Sequence, residues 1–157
     1  MNDYLKTLSE ASNTVWTVFK TAGKLDRNPL TAFEQIRAKY KGTVAEKYVN
    51  KYTEICTDEL VALQEEDAEA YMKEAYKATV EMWGKFKKYV GQLYNHELDD
   101  DDNAWNRMIY DAEQIGNKKW KPLIRNYAKR YAALCVEEVD WQYQRLNHIK
   151  DDWYKHI

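Results

Sequence analysis

Glu97-Leu98-Asp99-Asp100-Asp101-Asp102-Asn103 divides this chain in two. Amphipathic helical patterns lie on both sides of it. Four adjacent aspartates repel one another and are poor helix-interior residues, so a break is expected at 97–103. It separates a longer N-terminal helical part from a shorter C-terminal one. Carboxylates just ahead of a helix are favoured by its dipole, and Asn103 or Asp102 is expected to cap the helix that follows. That helix carries Trp105, Met108, Ile109, Ala112 and Ile115 and closes at Gly116-Asn117. Lys121-Pro122 opens a last helix, with Ile124, Tyr131, Cys135, Val139, Gln142, Leu146, Ile149 and Trp153 on one face.

Upstream of the break the apolar spacing is again three and four. Tyr4, Leu8, Ala11, Val15, Val18 and Ala22 line one face of a helix over about 3–22, with Gly23 as its stop. Asn28-Pro29 is a cap followed by a proline at the first helical position. It introduces a short helix with Leu30, Phe33, Ile36 and Tyr40 inward, ending at Gly42. Thr43 and Glu46 have capping-box spacing ahead of a third helix bearing Ala45, Val49, Tyr52, Cys56, Leu60 and Leu63. At 64–67 the chain either bends or continues. From Ala68 the series Met72, Ala75, Thr79, Met82, Phe86, Tyr89 and Leu93 predicts a helix of nearly thirty residues. Gly84 and Gly91 fall on one stripe of it and are read as a close helix crossing.

The patterns along the chain are helical, and no internal repeat of a fixed period stands out. The expected fold is a single all-α domain over 1–157: an irregular helical bundle of five or six helices, several long and antiparallel. Apolar residues make up 45% and charged ones 32%, enough apolar content for a core. Thirteen Tyr, six Trp and three Phe predict wide tyrosine-lined surfaces, because each ring wants burial and each hydroxyl wants a partner. Cys56 and Cys135 lack any ligand or redox spacing and read as buried free thiols. No apolar run approaches the ~20 residues of a membrane helix, and the N-terminus lacks a signal-peptide core. A cytoplasmic protein with no membrane association is expected.

Catalytic and metal chemistry find no motif. Glu-x-x-His pairs are missing, since Leu93, Arg145 and Trp153 stand three residues before His96, His148 and His156. The aspartate run fails as a calcium loop: counted from Asp99, position six is Ala104 and position twelve is Tyr110. His148 with Asp151 and Asp152 reads as a local ion pair. No nucleophile elbow, phosphate loop or zinc-protease helix occurs. No metal, no cofactor and no enzymatic activity are expected.

Charge is where the sequence points outward. Residues 97–117 hold seven acids and one base, whereas 118–136 hold six bases and no acid. The expected function is a non-enzymatic protein-interaction module of the inhibitor or adaptor kind, matched to a nucleic-acid-handling protein. Tyrosine-rich helix faces would supply contact area. The acidic clusters Glu65, Glu66, Asp67, Glu69 and Asp99, Asp100, Asp101, Asp102 would steer association. A second reading takes nucleic acid as the partner. Lys118, Lys119, Lys121, Arg125, Lys129 and Arg130 would meet phosphates while Trp120, Tyr127 and Tyr131 stack on bases. Ala112 and Gly116 resemble a helix-turn-helix turn, but Asn117 and Pro122 argue against that geometry. A third reading is a homo-oligomer built on the heptad-like stretch 68–93.

Overall fold

In the computed structural model residues 1–25 and 28–147 are described, with backbone alone at 24, 25 and 65. Six helices follow one another: α1 (Asn2–Leu25), α2 (Leu30–Tyr40), α3 (Glu46–Ala62), α4 (Ala68–Tyr94), α5 (Asp102–Gly116) and α6 (Arg125–Leu146). Short 3-10 turns at Glu65–Asp67 and Pro122–Ile124 lead into α4 and α6. The fold is all-α, with no strand among the described residues. His148, Asp151 and Asp152, with Ile149 and Trp153, lie outside the described residues.

Four long helices make the centre. Contacts of Gly23 with Met72 and of Trp16 with Tyr76 set α1 antiparallel to α4. Tyr48 with Tyr131 and Tyr52 with Tyr127 set α3 antiparallel to α6. Thr79 with Tyr127 and Tyr94 with Gln142 run α4 parallel to α6. Helix α2 packs on α1 and α3, and α5 on α4 and α6.

All seven residues of the α4 series, Met72 to Leu93, are buried, which gives this helix its length and its seat. Their burial within the chain also removes the regular 68–93 face as a self-association surface. Leu30 departs from expectation at 49% exposed, as does Leu146 at 41%. Helix α1 runs through Gly23 to Leu25 instead of stopping there. An added β-carbon at Gly23 would run into the Met72 methyl group, so this glycine leaves room for the Met72 side chain of α4. Gly84 and Gly91 have nothing within 4 Å of that position, which overturns the crossing expected there. The expected capping box does not form. The Thr43 amide donates to the Tyr40 carbonyl at 3.1 Å, and the Thr43 hydroxyl accepts from the Ala45 amide at 3.2 Å.

The break between α4 and α5 begins before the aspartates. The Glu97 amide donates to Gln92 O at 2.9 Å and the His96 amide to Leu93 O at 3.2 Å, with His96 at φ 62°. This is the Schellman arrangement, with a histidine in the left-handed position usually held by glycine. Leu98 then turns fully inward. The cap of α5 is Asp101, whose Oδ1 accepts from the Ala104 amide at 3.0 Å, in place of the Asp102 or Asn103 cap expected.

Candidate interaction surface

The two acidic clusters do not form one patch. Residues 65–69 precede and begin α4, whereas 97–102 follow its end, and 27 helical residues span about 40 Å. Glu66 and Glu69 are exposed and Asp67 is half-buried, while the side chain of Glu65 lies outside the described residues. In the second cluster, Asp99 Oδ2 lies 2.9 Å from His96 Nδ1 and Asp101 caps α5, so two of the four carboxylates have structural duties. Asp100 and Asp102 remain exposed.

The basic segment is anchored to α3 and α4 rather than to the acids that precede it. Arg130 Nη1 lies 2.8 Å from Asp58 Oδ2, and Lys118 Nζ lies 3.1 Å from Glu81 Oε1 and 5.4 Å from the Trp120 ring centre. Arg125 Nε donates to Trp120 O at 3.0 Å. Lys119, Lys121 and Lys129 are exposed and carry no ion pair among the described residues. The aromatic half of the nucleic-acid reading meets a physical obstacle. Trp120, Tyr127 and Tyr131 are 6%, 0% and 1% exposed, so no ring face is open to a base. Within the preceding acidic block, Asp111 is held by Lys85 at 3.6 Å and accepts from the Tyr89 hydroxyl.

Most tyrosines likewise face inward. Tyr4, Tyr40, Tyr48, Tyr52, Tyr71, Tyr89, Tyr127 and Tyr131 are buried, which corrects the expected tyrosine-lined surfaces. Each hydroxyl needs a partner there, because an unpaired buried hydroxyl costs ~1–3 kcal/mol. Tyr48 donates to Ser12 Oγ at 3.0 Å and meets Tyr131 at 2.9 Å. Tyr4 donates to Glu138 Oε2 at 2.6 Å and Tyr71 to Glu59 Oε1 at 2.7 Å. Arg145 Nη1 also reaches Glu138 Oε2, at 2.9 Å, while Glu138 Oε1 accepts no hydrogen bond. Burial raises the Glu138 carboxyl above its usual range, against the pull of Arg145 and the Tyr4 hydrogen bond. Burial also pushes both thiols, Cys56 and Cys135, well above the ordinary thiol range, which keeps them protonated and weakly nucleophilic.

Among the exposed large hydrophobic residues, which include Val61 and Tyr110 elsewhere, two form a strip at the α1–α4 border. Tyr76 and Val80 are 55% and 51% exposed, and Trp16 and Trp83 are half-buried beside them. The Trp16 ring rests on Phe19 and Tyr76 at 5.6 and 6.0 Å, and Trp83 on Phe86 at 5.0 Å. Tyr76, Val80 and Trp83 follow one another at i, i+4 and i+7, and Glu69 lies seven residues before Tyr76 on the same stripe. Tyr76 and Val80 lie outside the apolar series that the spacing picks out on α4. Their signal is an aromatic and a β-branched residue beside the α4 core series without belonging to it. No family model, no curated protein and no solved structure matches the chain.

Proposed function

We propose that this chain is a non-enzymatic protein-interaction module, an adaptor or inhibitor, whose contact strip is Trp16, Tyr76, Val80 and Trp83. The observation that carries the reading is the exposure of Tyr76 and Val80 on a helix whose own core is complete without them. Aromatic side chains held rigid by packing on a core are the usual anchors of protein interfaces. The exposed carboxylates of Glu69, two turns before Tyr76 on α4, and of Glu66, in the turn that leads into α4, supply steering for a partner with a basic rim. The non-enzymatic part is supported by two protonated buried thiols and by interior carboxylates already engaged by tyrosines.

The test is affinity capture from the native host with the wild type and with Tyr76→Ser/Val80→Ser. Both positions are exposed, so the thermal midpoint should hold within a few degrees. A partner retained by the wild type and lost by the variant supports the proposal. Identical capture profiles, with the fold intact, reject the strip as the contact face.

A further inference from the structure

Helix α6 turns a separate face to solvent between α3 and α5. Asn126, Lys129, Ala133, Glu137 and Asp140 are exposed along it. On the α5 side this ridge borders an open hollow of about 450 Å³ lined by Ile109, Ala112, Gly116, Ala132 and Val136. The hollow follows from the residues at the crossing. A β-carbon on Gly116 would lie 3.2 Å from Ala132 Cβ and 3.3 Å from Lys129 Cα, so the backbones meet closely and only small side chains flank the seam. Ile109, 37% exposed, stands at its edge.

The charges on this ridge are self-complementary about one residue. Lys129 lies four residues before Ala133 and Glu137 four residues after it; Asn126 and Asp140 lie seven before and seven after. Arg130, beside Lys129, is occupied by Asp58. Lys129 and Glu137 carry no ion pair among the described residues.

We infer that two copies of this chain associate through antiparallel α6 helices, with Ala133 on the two-fold axis and Lys129 of each copy paired with Glu137 of the other. A two-fold interface requires that if residue i meets j, then j meets i. A register centred on Ala133 meets that condition for the Lys129–Glu137 pair, while Asn126 and Asp140 are held within each copy, Asn126 donating to Glu59 at 3.0 Å and Asp140 accepting from Gln144 at 3.1 Å. A parallel arrangement would set Lys129 against Lys129 and is disfavoured by like charge. Alanine at the axis lets the helices approach to the short end of the usual 8–10 Å interaxial range. The second copy then covers the hollow and takes Ile109 out of water. A different protein has no reason to require a pattern symmetric about Ala133, which is why the occupant is a second copy. This inference uses a different face from the α1–α4 strip and does not depend on it.

Sedimentation velocity on the full chain, across roughly 1 to 300 µM to cover the affinity range of modest interfaces, tests it. The wild type should show a reversible monomer–dimer equilibrium. Lys129→Glu and Glu137→Lys, each alone, should weaken self-association about tenfold or more, because each replaces two attractive contacts by two repulsive ones. Mixing the two variants should restore a dimer, since the heterodimer recovers both pairs. Unchanged thermal midpoints show that the exposed substitutions leave the fold intact. A wild type that stays monomeric throughout overturns the inference. So does a dimer indifferent to the single swaps, or one that mixing does not restore.

Discussion

The hydroxyls of Tyr52 and Tyr127 lie 2.9 Å apart in the interior, on α3 and α6, and both rings are fully buried. The direction of this bond follows from its neighbour. Thr79 Oγ1 donates to the Ala75 carbonyl at 2.7 Å, so its hydroxyl hydrogen is spent, and Tyr127, 2.6 Å away, donates to it. Tyr52 then donates to Tyr127. The result is a one-way chain from Tyr52 through Tyr127 and Thr79 to the α4 backbone. It ties three helices at one level of the bundle, with polar groups satisfied where an apolar core would leave nothing to fix register.

Directionality makes the two ends unequal. Tyr127→Phe removes the donor to Thr79 and strips Tyr52 of its acceptor, leaving a buried hydroxyl unpaired; the expected cost is ~1–3 kcal/mol. Tyr52→Phe removes only the terminal donor, and Tyr127 keeps its bond to Thr79, so the expected loss is ~0.5–1.5 kcal/mol. The double variant should cost no more than Tyr127→Phe alone, because it also removes the Tyr52 hydroxyl left unpaired in that single variant. Urea unfolding of all four proteins closes the cycle. Equal single losses that add in the double variant would refute this hydrogen-bond direction.

The same burial sets an alkaline limit on stability. Tyr4, Tyr48, Tyr52, Tyr71, Tyr89, Tyr127 and Tyr131 all have hydroxyls raised well above the ordinary tyrosine range, first by desolvation. In the unfolded chain they ionise near pH ~10. Above that pH the unfolded state has released protons that the folded state retains, so stability falls as pH rises. Each retained proton contributes a slope of ~1.4 kcal/mol per pH unit, and seven together approach ~10 kcal/mol per unit. A domain of ordinary stability, ~5–15 kcal/mol, should therefore unfold cooperatively within about two pH units above 10. Tyrosinate absorbance at 295 nm from the buried set should rise only together with the loss of helical circular dichroism. A single smooth titration that precedes unfolding would contradict it.

How much of this could be read from the chain depends on whether the information is local. The α4 series was legible because one helix repeats one period against one core, so spacing alone marks Met72 through Leu93. The interior tyrosines were not, because their partners lie on other helices. Tyr48 and Tyr52 on α3, and Tyr127 and Tyr131 on α6, are both i, i+4 pairs, and only the antiparallel pairing of these helices sets 48 against 131 and 52 against 127. Glycines show the same limit. Nothing local distinguishes Gly84, which faces open space, from Gly116, which presses on Ala132. The surface strip was obscured for a related reason: Tyr76 stands one residue from Ala75, and which of the two is buried depends on how the neighbouring helices pack on α4.

The aspartate run can now be separated residue by residue. Asp101 caps α5 through the Ala104 amide, so Asp101→Ala should cost ~1 kcal/mol, within the usual ~0.5–2 kcal/mol for a lost cap. For a chain of this size that is a fall of about 2–4 °C in thermal midpoint. Asp100 holds φ 50°, a conformation that glycine adopts without strain, so Asp100→Gly should leave the midpoint unchanged or raise it. Asp102, exposed in the first turn, contributes only to the helix dipole, and Asp102→Asn should cost ~0.3–1 kcal/mol. Melting the three variants side by side by circular dichroism decides the assignment. If Asp100→Gly falls as far as Asp101→Ala, the cap is misassigned. With the predicted order, Asp100→Gly becomes the variant that removes a charge from this end of α4 without loosening the fold. Any change it makes to the salt dependence of partner association is then an effect of surface charge and not of stability.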